Sequence, residues 1–280
     1  MTFRTRRLPM VAVAAAGLLA LTACGSDDDS SSQGADGQKN SEGATGSGGA
    51  SGEGEDAAAG DSLASLPPEE IADRAQHALQ SATSVRMRTL GDPAVTGMGL
   101  DLHMDQEGSC AGSVTQGGAG TVELLVRADD EVWMKPDTQF WQSQLAVANP
   151  SVLNLLDGVY LYGHTSDPEM SQLAGVCSLA AMQEDMGSDD GSGAPDEVGP
   201  ETEYNGVPVV TLSGPDDEGN PVTMLIATEG EPYPLLVRTT EGGTETEIEL
   251  SQYNEPVEFQ EPPADQILNV ADFRTGNITA

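Results

Sequence analysis

Several stretches of this chain alternate apolar and polar residues with a period of two, and no other feature constrains its fold as tightly. In SVRMRTL, Val85 and Met87 alternate with Arg86 and Arg88; in GLDLHMDQEGS, Leu100, Leu102 and Met104 alternate with Asp101, His103 and Asp105. In TVELLVRA, Val122, Leu124 and Val126 alternate with Glu123 and Arg127. In TETEIELSQY, Thr246, Ile248 and Leu250 alternate with Glu245, Glu247 and Glu249. Successive side chains of a strand point to opposite faces, so each run reads as an antiparallel strand with one buried and one wet face. Turn signals at Gly117-Gly118, Asp129-Asp130, Asp216–Gly219, Glu229–Glu231 and Gly242-Gly243 separate the runs, which predicts a meander of neighbouring strands.

Two segments switch to a helical period. In LPPEEIADRAQHALQSA, Pro67 and Pro68 open a helix, Glu69 and Glu70 face the positive end of its dipole, and Ile71, Ala75, Ala78, Leu79 and Ala82 form an apolar stripe. DPEMSQLAGVCSLAAMQEDM reads as a second helix, with Leu173, Val176, Cys177 and Ala180 on one face. A single sheet of about eight to eleven strands with two or more helices on one face has to curl round them. The expected class is therefore α+β: a curled antiparallel sheet, an incomplete β-barrel, wrapped around two or more helices.

The folded part is expected over 62–273, with GSDDGSGAPDEVGP (187–200) as a flexible loop and 274–280 as a tail. Residues 25–61 are Gly, Ser, Ala, Asp and Glu with scarcely a large apolar side chain. Such a segment cannot bury enough surface to offset its ordering entropy, so it reads as a self-repelling tether. Its random-coil reach is roughly 30–35 Å.

Ahead of the tether, Arg4, Arg6 and Arg7 precede an apolar run from Met10 to Leu21, a charged and then hydrophobic region of secretory length. Leu21-Thr22-Ala23-Cys24 resembles the lipobox of bacterial lipoproteins. That resemblance implies removal of a signal peptide at 1–23, diacylglycerol on Cys24, and anchoring at the extracytoplasmic face of the cell membrane. Two acyl chains give stable attachment where one gives only reversible binding. With Cys24 so occupied, Cys110 and Cys177 remain in an oxidising compartment, either as one disulfide or as two free thiols. A bridge would close a loop of about 68 residues and contribute up to roughly 4.4 kcal/mol by chain entropy.

The net charge is −35, and removing the three leader arginines leaves 8 basic residues against 46 acidic ones. This disfavours nucleic acid, which is bound by Lys and Arg neutralising phosphates. It also repels anionic headgroups, which makes a covalent anchor the more necessary. No GxSxG, SxxK, HExxH or glycine-rich phosphate loop is present. His77, His103 and His164 are scattered, and the acidic clusters lack an EF-hand pattern. No catalytic residue, metal site or cofactor is expected.

The succession ADRAQHALQSATSVRMR, then CAGSVTQGGAGTVELLVRADDEVWMKPDTQFW, then EGEPYPLLVRTTEGGTETEIELSQYNEPVEFQEPPAD resembles actinobacterial lipoproteins of the LppX/LprG type, in the LolA-like superfamily. The resemblance implies a half-barrel closed by helices around an apolar cavity, and a role in binding or moving lipids or lipoglycans. It transfers no site residue. Strand parity alone offers Val85, Met87, Leu102, Met104, Val122, Leu124, Val126, Met224, Ile226 and Ile248 as lining. Methionine suits a surface that accepts varied acyl shapes, but it also fills irregular core gaps. Trp133, Phe140 and Trp141 pose the same choice between a cavity mouth and a structural anchor. The alternative function is a regulatory or scaffold lipoprotein that contacts a membrane protein without a ligand.

Overall fold

The computed structural model describes residues 62–144, 150–187, 195–216 and 218–275; the leader, Cys24 and the tether lie outside the described residues. The chain enters through α1 (Pro68–Ser81), whose first-turn prolines sit where no N–H is needed. Its buried face is Ile71, Ala75, Ala78 and Leu79. The helix end is closed by distant side chains: Gln183 Nε2 donates to Leu79 O at 2.8 Å and to Ala82 O at 3.0 Å, and Gln106 Nε2 donates to Ala82 O at 2.9 Å. These bonds satisfy the Ala82 carbonyl and supplement the Ala82 N–H that Leu79 O already accepts at 3.2 Å.

After α1 come β1 (Ser84–Leu90), α2 (Pro93–Thr96), β2 (Met98–Asp105), β3 (Cys110–Gln116), β4 (Gly120–Val126) and β5 (Glu131–Pro136). Then follow α3 (Thr138–Gln144), α4 (Pro150–Leu156), β6 (Tyr160–His164), α5 (Pro168–Ala174) and α6 (Leu179–Gly187). The second half runs through β7 (Glu197–Tyr204), β8 (Val207–Pro215), β9 (Pro221–Ala227), β10 (Pro234–Glu241), β11 (Thr244–Ser251), β12 (Ile267–Asn269) and α7 (Val270–Thr275). All twelve described strands form one sheet in the order β12-β6-β5-β4-β3-β2-β1-β11-β10-β9-β8-β7. Its two ends do not pair, so the sheet curls without closing. The α+β half-barrel expected from the sequence is the architecture observed.

Register follows the alternation. Val85 lies opposite Met104, Met87 opposite Leu102, Cys110 opposite Val126, and Leu124 opposite Met134, so one face is continuously apolar. The extra strand is β12, which pairs with β6 in parallel. A parallel partner needs a crossover, and residues 252–266 supply it across the outer face. Ser84 Oγ donates to Glu255 O at 2.5 Å, and Phe259 sits edge-on to Trp133 at 5.4 Å with Arg127 over both rings.

Three boundaries differ from expectation. The second helix is broken: a 3₁₀ turn at Gly175–Cys177 separates α5 from α6, because Ser178 Oγ accepts the Ala181 N–H at 3.1 Å and starts a new helix. Strand β7 begins at Glu197, inside the stretch expected to be a loop, of which 188–194 lie outside the described residues. Helix α7 runs to Thr275, into the expected tail.

Two apolar clusters result. The smaller joins Ile71 and Ala75 of α1 to Val210, Leu212 and Ile226. The larger spans β1–β6 and β11 under α4–α6, with Leu153, Leu156, Met170 and Leu179 as helix contributions. At the end of β11, Tyr253 stacks on Tyr233 with centroids 4.0 Å apart and donates its hydroxyl to Pro234 O at 2.6 Å. Burial, helped by Tyr233, raises the Tyr253 hydroxyl above its ordinary value of 10.0. The folded state therefore favours the protonated phenol. Its stabilisation is fully present below about pH 10, where the unfolded tyrosine is also neutral, and is lost as pH rises above it. Tyr253→Phe is expected to cost about 1 kcal/mol at neutral pH, from the lost hydrogen bond, and to flatten the fall in urea midpoint at alkaline pH. An unchanged alkaline slope would assign that fall to other groups.

Candidate functional site

The residues offered by strand parity fall into two places. Val85, Leu102, Met104, Val122, Leu124 and Val126 are buried in the larger cluster, with Met87 and Ile248 half-buried against it. Ile226 is buried and Met224 half-buried in the smaller cluster beneath α1. Over β1–β4 the inner face is thus filled by side chains from the helices.

The filling stops at the end of the sheet where β2 and β4 begin and β3 and β5 finish. There a cleft of about 460 Å³ opens, within the roughly 300–1,000 Å³ of small-molecule sites. Val114, Met134 and Leu161 form its floor, Phe140 and Trp141 of α3 one wall, and Val176 and Val270 the other. Met98, Gln116, Gln144 and Gln172 stand round it.

Local chemistry explains why α3 forms a wall. Asp137 Oδ1 accepts the Phe140 N–H at 2.6 Å, capping α3, while its Oδ2 accepts the Thr121 N–H at 2.9 Å. One carboxylate thereby fastens the helix start to β4. Ser143 Oγ donates to Ala119 O at 3.1 Å and Gln139 Nε2 to Gly118 O at 3.2 Å, holding the rest of α3 on the β3–β4 turn. Gly120 makes the approach feasible: its φ is +100°, and a Cβ there would run into the Phe140 nitrogen and Asp137 Oδ1.

The disulfide expected as one of two readings is formed. Cys110 at the start of β3 is bonded to Cys177 beside Val176, with Cα atoms 5.6 Å apart. It staples the turn between α5 and α6 to the sheet and so places the Val176 wall. The aromatic residues divide. Phe140 and Trp141 line the cleft, whereas Trp133 points to the outer face, against Tyr162 and Phe259. Of the methionines, Met98 and Met134 reach the cleft, while Met104 and Met170 are core.

Among the described residues, no ionisable side chain lines the cleft. Its polar atoms are glutamine amides, which suit an uncharged or rim-held head group. Three other hollows carry charges of both signs; the first, about 530 Å³, lies at the start of α3 and the end of α4, with Glu123, Lys135, Asp137 and Asp157. A second lies between α1 and the β9–β10 turn, at about 590 Å³, with Glu70, Asp73, Arg74, His77 and Glu231. The third, about 410 Å³, lies under the crossing segment, with Arg86, Asp101, His103, Glu255 and Glu258. Burial, and then the positive charge of Arg86, lowers the pKa of His103. Among the described residues no group of His, Cys, Asp or Glu is placed to hold a metal ion.

Sequence reasoning missed Val114, Leu161 and Val270 because each lies in a segment with little periodic signal, and it placed Val176 on a helix face without assigning it to the lining. The available signal was the absence of charge over residues 138–156, beside Phe140 and Trp141.

No protein-family model matches the chain, and a comparison with curated proteins finds no match. Among solved structures the chain is similar to LprF from Mycobacterium bovis, at 12% identity and a TM-score of 0.49, over 70% of this chain and 96% of that one. It is also similar to the lipoprotein LppX from Mycobacterium tuberculosis, at 13% identity and 0.42, over 69% and 98%. A LolA superfamily protein from Nitrosomonas europaea is similar at 10% identity and 0.21, over 71% and 96%.

Proposed function

We propose that this chain is an extracytoplasmic lipoprotein, anchored to the cell membrane through diacylglycerol on Cys24, that binds a lipid or other hydrophobic molecule without transforming it. The observation that carries this reading is the cleft: eight apolar side chains face a space of about 460 Å³, and among the described residues none of its lining is ionisable. Enclosure of apolar surface stabilises a ligand by about 25 cal/mol per Å². The same side chains supply no chemistry to act on it. Lipoglycans with an acyl tail fall within the same class, with the sugar held outside.

The filled inner face over β1–β4 favours a second reading, a scaffold that contacts a membrane protein with no ligand. One titration separates the two. Parinaric acid is expected to bind the full chain in solution with a fluorescence rise. Val176→Trp, which fills the cleft from its wall, is expected to weaken binding by about tenfold or more, because the ligand then has to displace a packed aromatic ring. Native mass spectrometry of gently purified protein is expected to show a lipid adduct. A clean unliganded mass together with no parinaric acid binding would favour the scaffold.

A further inference from the structure

The cleft is closed behind and tied at both walls. Further along the inner face, Leu102, Met104, Met170 and Leu179 are buried and fill the space between sheet and helices. The α3 wall is fastened to β4 through Asp137, and the Val176 wall to β3 through the Cys110–Cys177 bond. Widening the cleft requires breaking these ties or displacing a packed core. A methylene takes up roughly 30 Å³, about the share of one water molecule in the liquid. The 460 Å³ of the cleft therefore holds at most about fifteen carbons. Two chains of sixteen carbons need about twice that space.

Charge restricts the ligand further. Between Lys135 and Arg238 the chain contains no Lys or Arg, yet it carries Asp137, Asp157 and Asp167 there. That interval supplies Phe140, Trp141, Leu161 and Val176 to the lining. Every Lys and Arg among the described residues is ion-paired with a carboxylate, and none lines the cleft. Lys135 follows the lining residue Met134 but turns to the other face of the sheet, 2.6 Å from Glu123. Arg274, one turn beyond Val270, is exposed and lies 3.4 Å from Asp167. The polar side chains of the lining are Gln116, Gln144 and Gln172, all exposed. Amides both donate and accept, which matches hydroxyl groups. A phosphate or sulfate meets no counter-charge there, on a molecule whose net charge is −35.

We infer that the cleft takes one acyl chain of about fourteen to sixteen carbons carrying an uncharged, hydroxylated head, the chemistry of a monoacylglycerol, and not a two-chain or phosphorylated lipid. The inference rests on the lipid-binding reading above. Each methylene that leaves water raises affinity about three- to fourfold, until the cleft is full. Beyond that length, further carbons and any second chain stay in water and add nothing.

The test uses the full chain with Cys24→Ser, so that no anchor lipid competes, and displacement of bound parinaric acid, itself a single chain. Monoacylglycerols of 8 to 20 carbons are expected to gain about three- to fourfold per carbon and to level off near fourteen to sixteen. Dipalmitoylglycerol should bind no more tightly than monopalmitoylglycerol, and palmitoyl lysophosphatidate about tenfold less tightly. Phe140→Ala, which enlarges the cleft, should move the plateau about three carbons longer, and Val176→Phe about two carbons shorter. A rise that continues through 20 carbons, a diacyl ligand tenfold tighter, or equal affinity for the lysophosphatidate overturns the inference while leaving the lipid-binding reading in place. So does an unmoved plateau in a variant that still binds parinaric acid, since the limit then lies in the solubility of the lipids. Failure of wild type to bind parinaric acid at all defeats the reading itself.

Discussion

Replacing both Cys110 and Cys177 by alanine is expected to lower the stability of the domain by about 4 kcal/mol, because the bond closes a loop of roughly 68 residues in the unfolded chain. The two residues lie 67 apart in sequence, and both are buried. The bond ties β3 in the middle of the sheet to the short turn between α5 and α6. Without it, that turn keeps only the packing of Val176, Leu179 and Met170 against the inner face. Urea unfolding of wild type with and without reductant, beside the double variant, measures the effect. Reductant should shift the wild-type midpoint to that of the variant and leave the variant unmoved. A loss below about 1 kcal/mol would mean that the unfolded chain is already compact enough to keep those segments near each other.

Trp141→Ala is expected to cost about 3–5 kcal/mol, the range for removing a buried aromatic side chain. Trp141 is 5% exposed, belongs to the larger core and also forms a wall of the cleft. Its removal enlarges the cleft instead of leaving a sealed void, so a ligand has access to the space created. Saturating parinaric acid should therefore raise the unfolding midpoint of the variant at least as much as that of wild type, by mass action on the folded state. Trp141→Phe keeps the ring against Phe140 and should cost less than about 1.5–2 kcal/mol. A cost below about 1 kcal/mol for the alanine variant would show that α3 is held mainly by the Asp137, Gln139 and Ser143 hydrogen bonds.

Much of this architecture was legible because period-two alternation is imposed by the strand backbone itself. Val85, Leu102, Leu124 and Leu250 are buried where parity places them, and their polar neighbours are on the other face. Arg86 and Asp101 meet there at 2.7 Å, and Arg238 meets Glu247 across β10 and β11. Helix α1 was equally clear, since its prolines, first-turn acids and apolar stripe are all local signals. The broken second helix was not, because Ser178 acts as a cap only once the Cys177 turn is drawn onto the sheet. Strand β12 was invisible for a related reason. Three residues carry no usable period, and their pairing with β6 is decided by where the crossing segment delivers them.

The cleft shows the same division. Parity identifies the residues that face inward, and it applies alike to those covered by helices and those left open. Whether an inward residue ends in core or cavity depends on how far α3–α6 reach along the sheet. That is set by contacts between distant residues: Asp137 with Thr121, Gly120 beneath Phe140, and Cys110 with Cys177. The sequence by itself determined the strands, their inner face, the first helix and the uncharged composition of residues 138–156, because these are properties of neighbours along the chain. Only the tertiary structure decided that a space lined by Val114, Leu161, Val176 and Val270 opens at one end of the sheet. Helix length, disulfide position and close backbone approach fix what fills the half-barrel, and those are properties of neighbours in space.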